Sequence, residues 1–189
     1  VDEEEVGIFG MFIADKADTT RIPKLTQGLR DKNIWVVPTQ ALAERWFAPN
    51  RSPDELDNAP EMKYMHPQTR NDWVQAKKNL MNNPKYNADA VNRYIDLRRK
   101  LIYECNKSGV GLLLGSDAPQ IFDVPGFSVH HELQYLVDAG LTPYEALKTG
   151  SVNVGKFYNQ PNLGLKKKGA ISDLILLSAN PLTDISNTT

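Results

Sequence analysis

The sequence predicts an α/β fold assembled from parallel β/α units and incomplete within this chain. Two short, uninterrupted apolar runs, Ile34-Trp35-Val36-Val37-Pro38 and Val110-Gly111-Leu112-Leu113-Leu114, lack the polar alternation of a half-exposed strand and read as strands buried on both faces. Helical segments separate and follow them, so the order is helix, strand, long helical connection, strand, helix, the rhythm of right-handed parallel crossovers. Two such strands do not close a parallel sheet, and the strands flanking them have to come from outside these residues.

The elements follow in chain order. Ile8, Phe9, Met11, Phe12 and Ile13 form an apolar patch that predicts a short helix after an acidic run. Ile22-Pro23-Lys24-Leu25 opens a helix whose Ile22, Leu25 and Leu29 share a face, ending near Asn33. From Thr39 to Pro67 the chain is broken by Pro49, Pro53, Pro60 and Pro67, with Trp46, Phe47 and Tyr64 between them, and reads as a structured loop over a site. Helices are expected over 68–82 and 87–107, the second with a stripe of Val91, Tyr94, Ile95, Leu101, Ile102 and Cys105, stopped by Ser108-Gly109. After the second apolar run a loop extends to Phe127. Ser128 is placed to cap a helix carrying Val129, Leu133, Leu136 and Val137 on one face, with Gly140 as its left-handed stop. Thr142-Pro143-Tyr144-Glu145 is a capping box that starts another helix. Lys166-Lys167-Lys168-Gly169 predicts a turn, and residues 170–177 a strand that Asn180-Pro181 ends.

The bulk properties exclude more than they assign. A chain of 189 residues, 41% apolar, is long enough for one domain or a large piece of a bigger one. With 22 basic and 23 acidic side chains its net charge is -1, which gives no reason to expect nucleic acid or anionic lipid. No apolar run approaches the roughly 18 residues of a membrane helix. Cys105 is the single cysteine, so an internal disulfide and a Cys-rich zinc site are both excluded. The start, Val1 to Val6, has no initiator Met and no signal-peptide pattern and is expected to be a cut end, which leaves the compartment undefined.

Asp117 is the leading candidate for chemistry. It stands just beyond a buried strand, at the end where β/α folds present their catalytic groups. A carboxylate there can ligate a divalent metal or accept a proton from a metal-bound water, and equally an Asp can simply start the turn before Ala118-Pro119. The histidines number three, His66, His130 and His131, and none is spaced to share a ligand face with another, because neighbours on a helix point about 100° apart. A catalytic zinc takes roughly three protein ligands, and one aspartate does not supply them. His66 reads as a loop residue, His130 as solvent-facing and Cys105 as core.

The stretch Gly109 to Ala118 resembles the eighth barrel strand of the amidohydrolase superfamily, in its imidazolonepropionase-like and Xaa-Pro-dipeptidase-like branch. His131-Glu132-Leu133, Val137 to Leu147, Ser151 to Lys156 and Gly169 to Leu177 with Asn180-Pro181-Leu182 are similar to the family's later segments, in the same order. The resemblance implies a partial TIM (β/α)8 barrel, its last two β/α units over residues 1–162, and a strand and tail over 163–189 returning to a small β-sandwich. It implies hydrolysis of an amide, peptide or cyclic-amide C–N bond by metal-activated water. Asp117 would be both metal ligand and proton acceptor, and His131 would bind substrate through a carboxylate or hold the Asp117 loop, a structural place at the helix start being the equal alternative. The divalent metal, zinc by preference, is expected only with the missing N-terminal portion, since the family's His-x-His pair, bridging Lys or Glu and later histidines are absent from this sequence. This chain alone is expected to bind no metal and to be inactive on the small-molecule amide or dipeptide. Its unpaired strands lead to the expectation of a homo-oligomer. The alternative function is a non-catalytic binding or oligomerisation module of the same ancestry.

Overall fold

The computed structural model describes residues 3–189; Val1 and Asp2, part of the expected cut end, lie outside the described residues. The chain is 57% helical and has almost no strand, with no sheet or barrel among the described residues. The expected partial TIM barrel with a strand returning to a β-sandwich is therefore wrong for this chain.

Helix α1 (Glu3–Val6) leads into a 3-10 stretch over Ile8–Lys16, broken where Phe9 and Gly10 take φ of 55° and 79°. A turn at Thr19–Arg21 precedes α2 (Ile22–Asp31). Beyond an extended segment, α3 (Gln40–Leu42) runs on as a π turn over Ala43–Phe47. Then come α4 (Pro53–Asp57), a 3-10 turn at Pro60–Tyr64, α5 (Pro67–Met81) and α6 (Ala88–Lys107). The expected loop over 39–67 is thus largely helical, because Pro53, Pro60 and Pro67 each occupy a helix's first turn, where a missing N–H costs nothing. The last third holds α7 (Ser128–Asp138), α8 (Pro143–Thr149), α9 (Val152–Phe157) and a 3-10 turn at Ile185–Thr188.

The two apolar runs do meet in parallel, but through a single bridge between Val36 and Leu112. Val36 N–H donates to Gly111 O at 2.9 Å, and Leu113 N–H donates to Val36 O at 2.9 Å. Beyond that the ladder is diverted. Leu114 N–H goes to Thr149 O at 3.2 Å, and Asn153 Nδ2 donates to Leu112 O at 2.8 Å. Gly111 makes the crossing possible, since a Cβ there would lie 2.3 Å from the Trp35 ring. The expected strand over 170–177 forms no strand, and its Leu174, Ile175 and Leu176 are 71%, 87% and 99% exposed. A strand is defined by its neighbour, and this segment's one backbone hydrogen bond to another segment, Ile171 N–H to Asn162 O at 2.9 Å, makes no ladder among the described residues.

Three packed clusters hold the helices together. Ile102, Cys105, Val110, Leu112, Leu133 and Leu136 form one beneath the extended pair, which Ile185 rejoins from the tail. Met11, Phe47, Val91, Tyr94 and Ile95 form a second. Leu56, Met62, Trp73, Phe122 and Val124 form a third, under the loop that follows Asp117. The predicted stripe of α6 is buried except at Leu101, which is half-buried, and Cys105 is a core thiol whose pKa burial pushes up.

Candidate functional site

Asp117 leaves the second extended segment in the left-handed region, at φ 64°, with its side chain exposed. Asp is one of the few L residues that tolerate this conformation. Among the described residues Asp117 has no hydrogen bond and no ion pair, so its carboxylate is free for a ligand. Ser116, just before it, is buried and shares a hydrogen bond of 2.7 Å with the Ser128 hydroxyl. Ser128 is thus no helix cap, as α7 starts from Phe127 without a side-chain cap; it pins the two ends of the 116–128 loop together. That pin ties Ser116, the neighbour of Asp117, to the first residue of α7, the helix that carries His131.

His131 points into a buried polar chain. Its Nε2 lies 3.0 Å from Glu61 Oε1, the same oxygen that accepts Arg45 Nη2 at 2.9 Å. Arg45 is 1% exposed, and its Nε donates to Phe122 O at 2.9 Å. Burial pushes the Glu61 carboxyl up, but its own backbone N–H, His131 and Arg45 outweigh that and hold it below the ordinary carboxylate range. Burial holds the His131 pKa down, helped by Arg45 and opposed by Glu61. The His131–Glu61 contact is therefore a hydrogen bond from a neutral ring at neutral pH, not an ion pair. No hydrogen bond joins Asp117 to His131.

Asp123 sits inside the same loop, fully buried, and neither carboxyl oxygen has a hydrogen-bond partner. Arg45 Nε approaches Oδ1 at 3.8 Å, too far for a hydrogen bond, so the contact is only coulombic. Burial pushes the acid up to about 8; Arg45 pulls it down, and Glu132 and Asp117 push it further up. Glu132, also buried, accepts Gln40 N–H at 3.0 Å and Ala41 N–H at 2.6 Å. Lys77, with its pKa driven down to about 8 by burial, donates to Arg45 O and Ala48 O at 2.8 Å each.

Reasoning from the sequence misses Arg45, Glu61, Lys77, Asp123 and Glu132. A signal exists for two of them. Ser128, Glu132 and Leu136 recur at helical spacing on the buried face of α7, and Asp123 stands inside the apolar Ile121-Phe122-Asp123-Val124. The other histidines lie apart from the site. His66 caps α5, its Nδ1 accepting Gln68 N–H at 3.2 Å. His130 is not solvent-facing but half-buried, its Nδ1 3.0 Å from Thr188 Oγ1.

Among the described residues no group of His, Cys, Asp and Glu is gathered to hold a metal ion. The donors present do not fit a divalent-metal centre: Asp117 stands alone, and His131, held through Nε2 by Glu61, is not gathered with two further ligands. No helix among the described residues is long and apolar enough to cross a membrane.

The backbone is similar to that of bottromycin amidohydrolase, with a TM-score of 0.53 over 80% of this chain and 20% sequence identity. This chain spans 36% of that protein's length. At that identity the likeness is one of fold. No protein-family model and no curated protein matches the sequence.

Proposed function

We propose that this chain is one portion of a hydrolase of the amidohydrolase kind, acting on an amide, peptide or cyclic-amide C–N bond, in the imidazolonepropionase-like or Xaa-Pro-dipeptidase-like branch. The observation that carries this reading is Asp117: an unpaired, exposed carboxylate in a left-handed turn at the end of an extended segment. It opens the loop pinned by Ser116 and Ser128, in a chain whose backbone is like an amidohydrolase's. Asp117 takes a proton from the attacking water and passes it to the leaving nitrogen. His131 faces the substrate.

Any divalent metal, zinc by preference, would need histidines from outside these residues, with Asp117 as this chain's own contribution to the ligand set. The 189-residue chain by itself is accordingly inactive. The test is hydrolysis of a panel of dipeptides and cyclic amides by the longer natural protein and by this chain with added zinc. Turnover by the former alone is expected, and turnover by neither, or by the isolated chain, overturns the reading. A second reading, a non-catalytic assembly module, is favoured by the exposed Leu174-Ile175-Leu176 run. An upstream sequence without a His-x-His pair after an apolar strand would decide for it.

A further inference from the structure

His131 is held by a chain of fixed groups. Phe122 O fixes Arg45 through Nε at 2.9 Å, and Arg45 Nη2 fixes Glu61 Oε1 at 2.9 Å. Glu61 Oε1 in turn faces His131 Nε2 at 3.0 Å. An ionised carboxylate only accepts, so the proton of this bond belongs to Nε2, and a neutral imidazole then carries its lone pair on Nδ1. Nδ1 has no partner among the described residues, and the His131 side chain is 34% exposed. Arg45 also disfavours a second proton on the ring, because it places a fixed positive charge behind Glu61.

We propose that Glu61 is a positioning residue that locks His131 in the Nε2–H form and presents Nδ1 as a hydrogen-bond acceptor, so that the ligand group meeting His131 is an amide or amine N–H and not a carboxylate. The inference rests on the reading of His131 as a substrate-facing residue, and it reverses the polarity that the resemblance implies for it. A carboxylate has no donor to offer Nδ1, and its lone pairs repel the ring's. An amide N–H completes the bond without changing charge.

The experiment reads the imidazole directly. In the 189-residue chain labelled with 15N-histidine, the His131 ring signals are identified by their loss in His131→Gln, at a pH above neutrality. The wild type is expected to show a protonated Nε2 and a bare Nδ1. Glu61→Ala is expected to give a mixture of the two tautomers. Glu61→Gln, whose oxygen still accepts, restores the Nε2–H form. Acetamide added at high concentration is expected to shift the Nδ1 signal, and acetate at the same concentration is not. A wild type with the proton on Nδ1, a Glu61→Ala spectrum unchanged from wild type, or a larger shift with acetate overturns the proposal, as does no shift with either probe. Should Glu61→Ala fail to fold with Arg45 left unpaired, the wild-type tautomer and the two probes still decide. These signals do not depend on hydrolysis, so they can fail while the proposed activity stands, and the reverse.

Discussion

Asp123 shows how one residue can set the pH response of this chain. A buried carboxyl with no donor is stable only in its neutral form, which is why its pKa rises from 3.8 to about 8. The sign follows from linkage: the folded state binds this proton more tightly than the unfolded state. The stability it contributes is full below the unfolded pKa of 3.8 and is lost as pH rises through about 8. Asp123→Asn keeps the shape without the charge. It is expected to raise the melting temperature at pH 8 by several degrees, with the gap to wild type closing toward pH 4. Thermal unfolding followed at both pH values checks this, and equal melting temperatures at pH 8 would count against a buried, unpartnered acid. The contrast with Asp117 explains what a sequence discloses. Asp117 is legible because it follows an apolar run and a glycine. Asp123 is not, because its burial depends on Arg45 and Trp73 arriving from far along the chain.

At the scale of an element, the helical stretch Gln40–Phe47 has almost no caps of its own. Thr39, at φ 46°, gives it no side-chain cap, and Glu132 of α7 supplies that acceptor from 91 residues away. At the other end, Lys77 of α5 takes Arg45 O and Ala48 O, and the Tyr86 hydroxyl donates to Phe47 O at 2.8 Å. Glu132→Ala is expected to destabilise the fold by about 1–3 kcal/mol, since it leaves two buried N–H groups unpaired. Lys77→Met is expected to cost a similar amount, by leaving two carbonyls without a donor. Urea unfolding measures both; an unchanged midpoint would show that water replaces the lost partners. Local caps are readable in the sequence, as the Thr142–Glu145 capping box and the Gly140 stop both stand in the structure. Caps delivered by another helix leave no local trace, so the stretch after Thr39 reads as a loop. The helix over 88–107 is legible because its apolar residues, from Val91 to Cys105, recur at helical period along its length.

At the scale of the whole molecule, the apolar runs correctly mark segments that are extended and adjacent. They do not mark a sheet. A period of apolar residues reports burial, whereas pairing needs a second edge, and in this chain Thr149 and Asn153 take the groups that a third strand would have used. The 171–177 segment goes furthest in this direction, with apolar side chains in solvent and a backbone that pairs only where Ile171 N–H meets Asn162 O at 2.9 Å. Such an edge is sticky. The 189-residue chain is expected to self-associate as its concentration rises, and Ile175→Lys to reduce the associated fraction. Light scattering that finds a monomer throughout, or association unaffected by that substitution, would contradict this.

The proposed activity turns on Asp117 as the proton-accepting carboxylate of a C–N hydrolase. Its most direct test is turnover of an amide substrate by the longer natural protein carrying Asp117→Asn, with Asp123→Asn measured beside it. A fall in kcat of roughly 10²- to 10⁴-fold is expected for the first, the range of a lost general base, and little change for the second. Wild-type turnover in Asp117→Asn would contradict it.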